Sequence, residues 1–226
     1  MGQRVSFSNG DGTTEGYLAL PASGRGPGIV VIHEWWGLVG HIESITERFA
    51  GEGFVAFAPD LYHGAAPADS GEAERLRDSL DLDGAAKDLA GSARYVADRG
   101  ESTGEVGAAG FCTGGSLAVW LATLSDEVTA AVAFYPVIPW ERLNPKWERF
   151  EGKHAVIHCS EEDGGSAAAS IQEARSAIGS VGGECGLHDY PGTRHAFFND
   201  DRQEAYDPLA SASAWARTLE CFRTAL

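Results

Sequence analysis

The sequence predicts an α/β fold: a mostly parallel central sheet flanked by helices on both faces. Three observations predict it. Gly28-Ile29-Val30-Val31-Ile32 is a continuous β-branched run, as required of a strand buried on both sides. Short apolar runs alternate with longer amphipathic ones along the chain, the pattern of repeated strand–helix units. The chain opens on two short strand-like runs joined by Asn9-Gly10-Asp11-Gly12, a hairpin signal.

In order, Val5–Phe7 and Gly16–Leu20 form that hairpin, and Gly28–Ile32 the first long strand. Residues 41–52 form a helix with Ile42, Ile45 and Phe49 on one face. Phe54–Ala58 is a buried strand closed by Pro59-Asp60, and a polar stretch leads into a helical segment ending near Asp98. Val106–Phe111 is a strand, Gly114–Leu124 a helix and Thr129–Phe134 a strand. Pro136–Phe150 is irregular and aromatic-rich, a candidate lid or pocket wall. His154–Cys159 (strand), Ala167–Ile178 (helix), Glu184–Tyr190 (strand) and Glu204–Ala225 (helix) complete the chain. No linker or repeat divides residues 1–226, so one domain is expected.

Composition narrows the function. With 43% hydrophobic and 22% charged residues, the chain reads as a globular protein. Its net charge of −16 would repel nucleic acid and anionic membrane, so neither is an expected partner. The start lacks the basic head and apolar stretch of a secretory signal. Cys112, Cys159, Cys185 and Cys221 are widely spaced and form no metal pattern. A cytoplasmic location, as monomer or homodimer, is expected, and neither metal nor organic cofactor is implied.

The chemistry concentrates in Gly110-Phe111-Cys112-Thr113-Gly114-Gly115, between a strand and a helix. This is the context of a nucleophile elbow, a sharp turn that lifts one reactive side chain above the sheet. Cysteine stands at the centre, and the following helix N-terminus favours a thiolate. An elbow requires an acid and then a histidine at the ends of later strands. His154–Cys159 runs into Ser160-Glu161-Glu162-Asp163, and the strand ending at Tyr190 runs into the loop holding His195. Asp163 is the candidate acid, with Glu161 and Glu162 as alternatives. Of seven histidines, only His195 occupies the required place.

Glu34 tops the first long strand in His33-Glu34-Trp35-Trp36-Gly37. A carboxylate there is costly without partners, and the Cys112 thiol or a nearby arginine are the candidates.

These residues resemble the dienelactone hydrolase family of α/β hydrolases. The resemblance rests on the cysteine elbow, the 33–37 loop, Ala58-Pro59-Asp60-Leu61-Tyr62, Phe134-Tyr135, Tyr190-Pro191-Gly192 and the run from Tyr206-Asp207 through Ala214-Trp215. It spans nearly the whole chain and implies an α/β-hydrolase fold that cleaves an ester or lactone. It implies a Cys112–His195–Asp163 triad, with Glu34 handling the thiol proton and the backbone N–H groups of Thr113 and Trp35 binding the oxyanion. Trp36, Tyr62, His63, Phe198 and Asn199 are the candidate substrate-binding residues.

The chain departs from the family pattern in two respects, one being that Tyr135 is followed by Pro136, where glycine is usual. Dienelactone-cleaving members hold the substrate carboxylate with two arginines, where this chain has His63 and Asn199. The clamp is therefore missing or rebuilt from Arg194 or Arg202, and a substrate other than dienelactone is expected. Two rival readings keep the same fold: an acyl-transfer or ring-forming enzyme using the same triad, and a binding protein without turnover.

Overall fold

The computed structural model describes residues 2–226. Strands β1 (Gln3–Ser8) and β2 (Thr13–Ala19) form the expected hairpin. They are followed by β3 (Gly26–Ile32), β4 (Val55–Pro59), β5 (Ser102–Phe111), β6 (Val128–Phe134), β7 (His154–Ser160) and β8 (Glu184–Tyr190). All eight join one sheet in the order β1-β2-β4-β3-β5-β6-β7-β8. β2 runs antiparallel to its neighbours, and every pairing from β4 through β8 is parallel. The fold is that of an α/β hydrolase.

The β-branched run explains the layering. Val30 and Ile32 enter the core beneath helices α3 (Leu82–Ala97) and α4 (Thr113–Leu124), on the face that also carries α6 (Ala169–Ser180). Ile29 and Val31 enter the opposite core, beneath α1 (Gly40–Gly51) and α7 (Pro208–Ala225). Strand periodicity sends alternate side chains to opposite faces, so a strand covered on both faces must be apolar throughout. Strand order reverses at β3, which has β4 on one side and β5 on the other. The loops leaving β3 and β5 diverge there and open a crevice at their carboxyl ends. Glu34 and Cys112 lie on those two loops.

Several elements differ from expectation. The helical stretch before Asp98 is two helices, α2 (Ser70–Asp78) and α3, each begun by an aspartate. Asp69 accepts from the Glu72 amide and Asp81 from the Asp83 amide, which satisfies donors that a helix start leaves orphaned. The last helix starts at Pro208, because Asp207 caps it by accepting from Leu209 and Ala210 at 3.0 and 2.9 Å. β5 begins four residues early, ahead of a register shift at Val106/Gly107. In the irregular segment, a turn of helix α5 (Trp140–Leu143) and a 3₁₀ turn at Trp147–Phe150 bury Trp140, Leu143 and Phe150 in the core beside α4. Those side chains anchor the segment to the core while Glu141, Arg142, Lys146 and Glu148 stay exposed, and Val137 from it lines the cavity.

Candidate active site

The elbow is built by close backbone approach. Cys112 has φ +54° and ψ −116°, a strained conformation for a residue with a side chain. Its amide donates to the Phe134 carbonyl at 3.0 Å and its carbonyl accepts from Gly115 at 3.0 Å. A Cβ on Gly110 would overlap the Gly114 carbonyl, and one on Gly114 would overlap the carbonyls of Ile32 and His33. Glycine at these positions lets α4 start pressed against the ends of β3 and β5. That contact brings Cys112 beside the 33–37 loop.

His195 receives its orientation from Asp163: imidazole Nδ1 lies 2.8 Å from Asp163 Oδ2. The Ser160 hydroxyl donates to that same oxygen. The neighbouring acids have other roles. Glu162 accepts the His195 backbone N–H at 2.7 Å, and Glu161 accepts that of Gly192. Of the three candidate acids, only Asp163 meets the ring. Nδ1–H donates to the carboxylate, so Nε2 is left for the sulfur side.

The charges are tuned by this arrangement. Burial opposes a charged His195, but the bond to Asp163 and the nearness of the Cys112 sulfur outweigh it and push its pKa up to about 10. Burial likewise opposes ionised Asp163, yet the bonds from His195 and Ser160 hold it below the usual carboxylate value. Glu34, only 2% exposed, is pushed up by burial, against the pull of Arg202, His195 and Asn199.

Cys112, Asp163 and His195 share one cavity of about 220 Å³ with Trp35, Arg77, Val137 and Arg202. The Arg77 guanidinium sits 5.8 Å above the Trp35 ring. Among the described residues, the amides of Thr113 and Trp35 donate to no other protein group. No cluster of three or more His, Cys, Asp or Glu able to hold a metal occurs among them.

Comparison with known proteins fits this geometry. The sequence profile of the dienelactone hydrolase family matches residues 14–226. The chain is 33% identical to protein usf of Aquifex pyrophilus, covering 99% of this chain and 98% of the relative. It is 32% identical, over the full length of both, to an Aquifex aeolicus protein named as a candidate carboxymethylenebutenolidase. The chain belongs to the dienelactone hydrolase family. It is a hydrolase of ester or lactone bonds. Two solved structures share the fold. The dienelactone hydrolase of Anabaena variabilis superposes with a TM-score of 0.74 at 19% identity, over 100% of this chain and 98% of that one. The dienelactone hydrolase-like promiscuous phosphotriesterase P91 from metagenomic libraries superposes with a TM-score of 0.81 at 22% identity, with the same coverage.

Within this dienelactone hydrolase frame, the five expected substrate-binding residues lie outside the lining of the Cys112 cavity. Phe198 is 1% exposed, packed against Phe111 and Phe134 with Arg48 above its ring, and belongs to the core. His63 has φ +50° and turns to Thr14 at 3.1 Å and Asp88 at 3.2 Å, outside the Cys112 cavity. Asn199 is 3% exposed and donates its amide to Glu34 Oε1 at 3.0 Å, so it anchors the glutamate. It is the hydrogen-bond partner that sequence left unidentified for Glu34, while Arg202 acts on the glutamate by charge. Tyr62 packs edge-on to His33, with ring centroids 4.9 Å apart, and its buried hydroxyl has no partner among the described residues. Trp36 packs against Trp35, centroids 5.3 Å apart, and does not line the cavity. Arg77 escaped sequence reading because it arrives from α2, distant in the chain and without a motif; Arg194 is absent from the lining, and Arg202 is present.

Proposed function

We propose that Cys112 is the nucleophile of this ester or lactone hydrolase, acting through a thioester. The observation that carries this reading is the 2.8 Å bond between His195 and Asp163 in the lining of the cavity that also holds the strained Cys112. Glu34 takes the thiol proton, and the thiolate is paired with protonated His195. The thiolate attacks the carbonyl carbon, and the oxyanion is held by the Thr113 and Trp35 amides, each such donor being worth about 3–4 kcal/mol. The intermediate collapses, the C–O bond breaks, and Nε2 of His195 protonates the departing alkoxide. Neutral His195 then takes a proton from water, and the hydroxide adds to the thioester. Expulsion of the Cys112 thiolate releases the acid and restores the thiolate–imidazolium pair, and return of the proton from Glu34 to the sulfur regenerates the thiol.

Arg77 and Arg202, both lining the cavity, support a substrate carrying a carboxylate near the scissile bond. They replace the clamp at other positions of the chain. The four free cysteines fit a reducing, cytoplasmic compartment. Hydrolysis of activated esters and lactones, with and without a carboxylate, by wild type and Cys112→Ala tests the reading. Cysteine-dependent turnover favouring the anionic substrates is expected. Turnover by Cys112→Ala would overturn it.

A further inference from the structure

The buried imidazole of His33 has a bonding pattern that only one tautomer satisfies. Nε2 accepts the Leu61 amide at 3.2 Å, so the ring proton resides on Nδ1. Nδ1 lies 2.7 Å from the carbonyl oxygen of Glu34 and donates to it. The same oxygen accepts the Gly37 amide at 3.1 Å, closing the turn. His33 is 2% exposed, burial disfavours its charged form, and the Tyr62 ring packs against it. Its neutral state and its rotamer are thus both fixed.

The carbonyl of Glu34 and the N–H of Trp35 belong to one peptide unit, and no cis peptide occurs among the described residues. In a trans peptide these two bonds point in opposite directions within one plane. Two donors clamped on the oxygen therefore fix where the Trp35 N–H points. We propose that His33 is a positioning residue for the reaction: through the Glu34 carbonyl it aims the Trp35 amide at the oxyanion. The inference rests on the hydrolytic reading above, in which that amide is one of the two oxyanion donors. It assigns a task to a histidine that touches neither substrate nor the triad.

Two substitutions separate the bonds His33 makes. His33→Asn places an amide N–H where Nδ1 stands and can still donate to Glu34, while losing the acceptor for Leu61. His33→Gln places an amide oxygen near Nε2, keeping Leu61 but losing the donor to Glu34. Each variant forfeits one buried bond, so a purely structural histidine would be impaired alike by both. The expected result is a fall in kcat of about 10–100-fold for His33→Gln, with KM little changed, because a misaimed oxyanion donor acts on the transition state. His33→Asn should retain kcat within about threefold. Alkylation of Cys112 by iodoacetamide needs no oxyanion hole, so its rate should be unchanged in both. Equal losses, no loss, or an alkylation rate that falls with kcat would overturn the proposal. Wild-type protein gives a second readout through the ¹⁵N shifts of His33: a proton on Nδ1 supports the proposal, and a proton on Nε2 overturns it. Failure of the hydrolytic reading would be seen separately, as turnover in Cys112→Ala.

Discussion

Asn199 donates its side-chain amide to Glu34 at 3.0 Å, and both residues are buried. The bond favours the ionised glutamate, against the burial that pushes its pKa up. In the proposed mechanism, Glu34 must be ionised to accept the thiol proton. In Asn199→Ala the acid limb of kcat/KM is therefore expected to move to higher pH, with about a tenfold loss on that limb, since a bond to a charged group is worth about 1.5–3 kcal/mol. A pH–rate profile of the variant beside wild type checks this.

The His195–Asp163 pair fixes a second pH dependence. The histidine's folded pKa of about 10 lies above its ordinary value of 6.5. Its contribution to stability is fully present below 6.5 and is lost as pH rises through about 10. Asp163, held below its ordinary 3.8, contributes above that value and loses the contribution as pH falls through its lowered pKa. Asp163→Asn should be less stable than wild type at pH 7, with the difference shrinking as pH passes 10 in urea titrations. Its alkaline activity limb should move to lower pH, and kcat should fall by about 10²–10⁴-fold. Glu161→Gln and Glu162→Gln should retain activity within several-fold, because those side chains bind backbone amides.

Arg77 and Arg202 are expected to separate anionic from neutral substrates. Arg202→Met or Arg77→Met should lower kcat/KM for carboxylate-bearing lactones by about 10–100-fold, the worth of one charge-assisted bond. Neutral esters should change little in Arg77→Met, whereas Arg202→Met should also move their acid limb to higher pH, because the Arg202 charge favours ionised Glu34. Equal losses on both substrate classes would remove the arginines from carboxylate recognition.

Gly114 tests the elbow itself. A Cβ there meets the backbone carbonyls of Ile32 and His33, which have no soft atom to yield. Gly114→Ala is expected to destabilise the fold by about 1–3 kcal/mol or more and to displace Cys112. Denaturant melts and the Cys112 alkylation rate measure both effects.

Much of this architecture was legible in the sequence because backbone rules are local. An apolar run such as Gly28–Ile32 has no stable place except a strand covered on both faces. The glycine-flanked cysteine between strand and helix, followed by an acid and then a histidine, located Cys112, Asp163 and His195 on loops that the sheet brings together. Side-chain direction within loops was not legible. Phe198 and Asn199 are adjacent, yet one fills the core and the other holds Glu34. His63 stands beside Tyr62, but a left-handed backbone turns it toward Asp88. Arg77 reaches the cavity through the packing of α2, which no spacing in the sequence encodes. The break between α2 and α3 was signalled only by Asp81, a capping residue within an otherwise helical stretch.

The central claim is that Cys112 carries the acyl group. Its most direct test is intact-protein and peptide mass spectrometry after rapid quenching with an activated aryl ester, whose leaving group departs without a proton. Wild type and His195→Ala should both gain one acyl mass on the peptide containing Cys112, the label persisting longer in His195→Ala and leaving with neutral hydroxylamine. Acylation at another residue, or undiminished turnover in Cys112→Ala, would contradict the account.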